Sequence, residues 1–270
     1  MTALKWSNVD RVCAAVDFTQ QPAVLDLSKA TFFEPFALVY LGMFLRRTNG
    51  LGPALQVIPP RDAAASAYLA TQQFWDRFNV NVQRAGEAKL RVFSNSTSLN
   101  DIVDIEQRVQ VAESVDEAVV DLLRRENVRV NSGEIGGLIA ELVDNFAQHA
   151  RSSHAALAMQ WYPKIGRVLF AIGDSGIGIR ASLSSREDYS ALAGKPHWEA
   201  AAKALDPLVT RKAEGGTGLT DVADGVKALW GNMTLTTGNG YVRITRMGRT
   251  AGEMAYDLTG VQVEMSFPER

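Results

Sequence analysis

Apolar and polar positions follow two rhythms along this chain, and the switches between them predict its elements. AVLDLS (23–28) and LQVIPP (55–60) are short apolar runs closed by turn residues, which predicts strands. Between them PFALVYLGMFLRRTNG (35–50) opens on proline, is apolar at helical spacing and stops at Asn49-Gly50, which predicts a helix. AAASAYLATQQFWDRFN (63–79) predicts another, with Tyr68, Leu69, Phe74, Trp75 and Phe78 for packing, and KLRVFSNST (89–97) a further strand. Strands alternating with helices imply an α/β layer. From about Asp101 the pattern is long, charged and helical as far as Asn127, so a boundary is expected between 98 and 110, dividing 1–105 from 106–270. The second part predicts a helix (132–150), strands (154–162 and 167–173), a glycine-rich turn and a mixed stretch to about 210. A second glycine-rich turn, a helix (218–230) and two or three strands follow. Sequential strands with short turns imply a mixed or antiparallel sheet covered by helices. The fold class expected is α+β.

Composition narrows the classes. With 270 residues, 46% of them hydrophobic, the chain can bury sizeable cores. Its 28 basic and 30 acidic residues leave a net charge of -2, which gives no electrostatic reason to expect nucleic acid or an anionic membrane as partner. A single cysteine, Cys13, rules out an intramolecular disulfide framework and suits a reducing compartment. No apolar run approaches the roughly 20 residues of a membrane span. MTALKWSNVDRVCAAVDF does not read as a secretory signal, so a cytoplasmic location is expected.

Candidate chemistry starts in ELVDNFAQHA (141–150). At about 100° per residue, Ile135, Leu138, Ile139, Leu142 and Phe146 share one arc, with Glu141, Asn145 and His149 in a strip along its flank and Asp144 further toward solvent. By itself this is the wet edge of a core helix. Chemically, a carboxylate can polarise water or a hydroxyl. An Asn carbonyl oxygen suits Mg²⁺, which takes oxygen ligands and keeps several waters. DSGIGI (174–179) follows a β-type run and is either a hairpin turn or a place where the backbone approaches a flat ring, with Asp174 accepting from an exocyclic amine. GGTG (215–218) leads into a helix, where backbone N–H groups bind phosphate oxygens well, with Arg211 and Lys212 just before it. No Walker motif is present.

Glu-x-x-x-Asn on a helix, Asp-x-Gly-x-Gly after a strand and Gly-Gly-Thr-Gly-Leu opening another helix, in that order, resemble the Bergerat ATP-binding fold of the GHKL superfamily. This superfamily includes gyrase-type topoisomerases, heat-shock chaperones, mismatch-repair ATPases, histidine kinases and anti-sigma serine kinases. The likeness covers about 110–270, including the closing strand-like LTGVQVEMSFP (258–268). It implies ATP and Mg²⁺ as cofactors, Asn145 as the metal ligand and Glu141 as general base. It implies adenine binding by Asp174 with Gly176, Gly178 and Ile179, and phosphate contacts from Lys212, Gly215, Gly216, Thr217, Gly218 and Leu219. His149 is expected near phosphate or as a helix-end cap, and 180–214 as the ATP lid.

Many histidine kinases carry Asn where this chain has Glu141, and none of His149, His154 and His197 lies in a helical hairpin ahead of the ATPase part, so a complete sensor histidine kinase is excluded. AVLDLSKATFFEPFALVYLGMFLRR resembles the centre of a STAS domain, although Glu34, Pro35 and Phe36 stand where phosphorylatable members carry Ser or Thr. Glu34 is expected as a solvated acid at the helix start. The resemblance implies a nucleotide-dependent regulator that hydrolyses ATP or phosphorylates a partner Ser/Thr, its partner being a STAS-type or sigma-like protein. The alternatives are a gyrase- or chaperone-like ATPase that closes a lid and forms a homodimer, and a non-catalytic nucleotide sensor.

Overall fold

A computed structural model describes residues 2–49, 55–78, 97–102, 108–149, 155–207, 209 and 218–270. In chain order, strand β1 (Thr2–Leu4) leads to helix α1 (Val9–Ala14), strands β2 (Ala23–Asp26) and β3 (Ala30–Phe33) and helix α2 (Pro35–Asn49). Strand β4 (Leu55–Ile58) and helices α3 (Ala63–Thr71) and α4 (Phe74–Arg77) follow. β1 pairs parallel with β3, and β2 parallel with β4. The helix predicted over 63–79 is broken. Asp62 caps α3 by accepting from the Ala65 N–H at 2.9 Å. Gln73 then takes φ 52, and the turn delivers Phe74 and Phe78 into the core with ring centroids 5.0 Å apart. α2 is buried on every side, from Phe36 to Leu41 and from Met43 to Leu45. A helix apolar all round belongs between two layers.

The second layer is a five-stranded sheet. Strand β5 (Thr97–Ile102) precedes helices α5 (Arg108–Arg125) and α6 (Ser132–His149), then strands β6 (Ala155–Tyr162) and β7 (Arg167–Asp174). Helices α7 (Gly178–Ser184), α8 (His197–Ala204) and α9 (Gly218–Ala228) and strands β8 (Asn232–Thr245) and β9 (Gly248–Pro268) complete the described chain. The sheet order is β5-β6-β7-β9-β8. Every pair in it is antiparallel, so of the mixed or antiparallel sheet expected for this half the antiparallel form is found. The turns between β6 and β7 and between β8 and β9 are too short for a parallel crossover. Of the strand predicted over 89–97, residues 89–96 lie outside the described residues. Asp101 and Ile102 belong to β5, so the long helix starts later, at Arg108.

The register sorts the sheet's two faces. Leu157, Ile172, Val263 and Leu235 form one cross-strand row, and Met159, Phe170, Met265 and Met233 the next. These rows join a core with Ile139, Leu142, Phe146, Val222, Val226, Ala200 and Ala201 from the helices. The opposite face carries the rows Ala156, Gly173, Gln262, Thr236 and Ala158, Ala171, Glu264, Thr234. Small side chains on β6 and β7 let α2 lie close, so Ala156, Ala158 and Ala171 share a core with Phe36, Tyr40 and Phe44. The molecule is thus α+β, with helices over one face of the sheet and α2 over the other. Among the described residues no helix is long and apolar enough to cross a membrane.

Candidate functional site

α6 begins where the Asn131 Oδ1 accepts from the Glu134 N–H at 3.3 Å. Its predicted apolar arc is buried at Ile135, Ile139, Leu142 and Phe146, joined by Val143, while Leu138 is partly buried against the core. Glu141 and Asn145 are half-buried at the margin, as the helical period implied. Asp144, expected toward solvent, is half-buried too. The Asn145 Nδ2 donates to the Glu141 carbonyl at 2.9 Å and to the Glu141 Oε1 at 3.2 Å. The amide nitrogen is thereby committed to Glu141. Partial burial raises the Glu141 pKa from its ordinary value, and the nearby Asp144 and Asp221 charges raise it further, against the opposing pull of the Asn145 hydrogen bond. A carboxylate that holds a proton more firmly is a stronger general base.

α9 starts against this pair. A Cβ built on Gly218 would lie 2.7 Å from the Asn145 Oδ1 and 3.0 Å from its Nδ2, closer than real Cβ atoms sit to a rigid neighbour. Glycine at the helix start is therefore what lets the first residue of α9 abut the polar strip. Leu219 is half-buried, and the Thr220 Oγ1 donates to the Asp206 carbonyl at 3.1 Å, tying α9 to the end of α8. Lys212, Gly215, Gly216 and Thr217 lie outside the described residues, as does Arg211. His149 closes the α6 backbone, and its side chain is likewise outside the described part.

Asp174 ends β7 and is buried. Its Oδ1 accepts from the Gly176 N–H at 2.7 Å, and its carbonyl accepts from the Gln262 Nε2 at 3.2 Å. Burial pushes its pKa up to about 7, against the pull of the Gly176 and Val261 N–H donors. Gly178 opens α7 at φ 76, where L side chains are strained, and a Cβ there would meet the Thr237 Oγ1 at 2.8 Å. Thr237 Oγ1 in turn accepts from the Ile179 N–H at 3.1 Å. Asp174 pairs with Ala155, a few residues beyond the end of α6, so strand register brings the first glycine turn to the same end of the sheet. Among the described residues no hydrogen bond joins Asp174 to Asn145.

Sequence reasoning missed Thr237 and Gln262. Both are buried on the partner strands, and their only local signal is polarity within an apolar strand period. The described part of the lid expected over 180–214 is anchored in the core at a few positions and is otherwise half-buried or exposed. Leu183, Ala200, Ala201 and Ala204 are buried in the main core, because the small face of α8 fits closely on β8. Among the described residues no three His, Cys, Asp or Glu side chains come together to hold a metal. A cation at Asn145 would draw its other ligands from phosphate and water, which is how Mg²⁺ is commonly held. No protein-family model and no curated protein sequence matches the chain.

Proposed function

We propose that the chain is a Mg²⁺-dependent ATP-binding regulatory protein of the GHKL superfamily, its residues 106–270 a Bergerat-type domain and 1–105 a STAS-like one. The observation that carries this reading is the apposition of Gly218 to Asn145, itself hydrogen-bonded to Glu141. Residues 73 positions apart in the chain, which the resemblance assigns to one phosphate site, meet there. Asn145 would offer its oxygen to Mg²⁺ and Glu141 would take a proton from a water or a partner hydroxyl. Asp174 would accept from the adenine amino group, with Gly176, Gly178 and Ile179 around the ring. Bound Mg²⁺ would offset phosphate charge. The raised Glu141 pKa favours turnover over passive sensing. The STAS-like half supports a protein partner of that class, in the cytoplasm. Glu34 is half-buried rather than solvated, and burial raises its pKa against the opposing pull of Lys5.

Calorimetric titration with ATP tests the reading. Wild type should bind in a Mg²⁺-dependent manner, and Asn145→Ala should abolish the Mg²⁺ dependence. Nucleotide binding that ignores Mg²⁺ in both proteins, or no binding at all, would refute the assignment. Labelled ATP incubated with and without a STAS-type protein then separates phosphate release from phosphotransfer.

A further inference from the structure

A basic face lies at the other end of α6. Between α5 and α6, residues Arg124, Asn127, Val128, Arg129, Val130 and Ser132 line an open cleft of about 590 Å³. The segment 269–270 is fastened beside it. The Arg270 N–H donates to the Arg129 carbonyl at 2.8 Å, and the Glu269 Oε1 accepts from the Arg129 N–H at 3.1 Å. Trp230, just after α9, takes φ 63 and is 48% exposed. Two guanidinium groups face its ring, with the Arg246 Cζ 3.8 Å and the Arg270 Cζ 5.2 Å from the centroid. Such contacts hold a cation on an aromatic face while leaving its N–H groups to bond outward.

Charge decides the occupant. Among the described residues, none of Arg124, Arg129, Arg246 and Arg270 forms an ion pair, although the chain as a whole is slightly acidic. Two carboxylates at hand are already engaged: Glu269 accepts from the Arg129 N–H, and Glu126 pairs with Arg125 at 3.3 Å. Exposed apolar side chains flank the arginines. Met247 follows Arg246, and Ile165 precedes Gly166, whose carbonyl accepts from the Glu269 N–H. Arginines mixed with an exposed tryptophan and aliphatic side chains suit a protein segment.

We propose that this face docks an acidic, Asp/Glu-rich segment of a partner protein. Its carboxylates pair with Arg124, Arg129, Arg246 and Arg270, and an apolar side chain of the segment rests against Trp230. The face is separate from the proposed nucleotide site. Ser132 and Glu141 are nine residues apart on α6, about 14 Å at the usual helical rise.

The test is fluorescence anisotropy of a labelled deca-glutamate peptide carrying one central leucine. A deca-serine peptide and a single-stranded oligonucleotide of equal charge serve as comparisons, and a deca-glutamate peptide with a central serine isolates the contribution of Trp230. Wild type should bind the glutamate peptide at least roughly tenfold tighter than either, and more weakly as salt rises from about 50 to about 300 mM. Arg129→Glu with Arg246→Glu should weaken it at least roughly tenfold further, and Trp230→Ala should remove the preference for leucine over serine at the centre. Arg124→Glu, on the solvent side of α5, repeats the test should the double variant fold poorly. Equal affinity for deca-serine, unchanged affinity in the variants, or tighter binding of the oligonucleotide overturns the proposal. ATP titrations read independently of these outcomes.

Discussion

Lowering the pH from 8 to 6 should weaken adenine-nucleotide binding about threefold beyond the change seen in Asp174→Asn. The reasoning begins with burial, which pushes the Asp174 carboxyl up to about 7. At pH 8 about nine-tenths of the protein carries the charged carboxylate, and at pH 6 about one-tenth does. An exocyclic amine donates to a carboxylate more strongly than to a neutral acid, so the nucleotide selects the ionised form. With the neutral acid binding about fivefold more weakly, apparent affinity falls about threefold from pH 8 to pH 6 and levels off on either side. Asp174→Asn keeps an acceptor oxygen but loses the charge. It should bind about fivefold more weakly at pH 8, on the order of 1 kcal/mol. The assay is calorimetric titration with ADP at half-unit pH intervals, with Asp174→Asn as the reference that subtracts phosphate ionisation. Parallel curves for the two proteins, or equal affinity at pH 8, would refute the placement of adenine at Asp174.

Three further outcomes follow. Glu141→Ala should abolish phosphate release or phosphotransfer while keeping ATP affinity within about threefold, read by stopped-assay turnover beside calorimetry. Ala158→Leu should destabilise the fold by about 1–3 kcal/mol in urea unfolding, because Ala158 is fully buried in the core shared with α2. Glu264 is 8% exposed, its Oε2 has no hydrogen-bond partner, and burial above all, with the nearby Glu34, pushes its pKa to about 8. The folded protein then holds a proton that the unfolded chain has released, so stability should fall as pH rises from about 4.5 to about 8, by at most about 5 kcal/mol. Glu264→Gln should remove that part of the decline in denaturant midpoints measured across this range.

What could be read in advance was what depends on neighbours along the chain. The α6 period placed Ile135, Ile139, Leu142 and Phe146 inside with Glu141 and Asn145 at the margin, and the apolar runs placed β6 and β7 within a residue. What depends on long-range register could not be read. Nothing local says that β9 inserts between β7 and β8, so Thr237 and Gln262 gave no warning that they would reach Ile179 and Asp174. The left-handed Gln73 had no glycine or asparagine to announce it. α8 has a helix's composition in either setting. Only the fit of Ala200 and Ala201 on β8 shows that it belongs to the core rather than to a loop.

The position of α2 has a consequence for how the protein could be taken apart. A chain cut at residue 105 would lose the helix that covers Ala156, Ala158, Ala171 and Leu258, laying an apolar strip of sheet open to water. Such a fragment should be sticky and poorly soluble, and the intact protein should melt in a single step, because the core around α2 is completed by residues of both halves. Regulation that passes through residues 1–78 must then act by small shifts of a packed helix rather than by release of a tethered module.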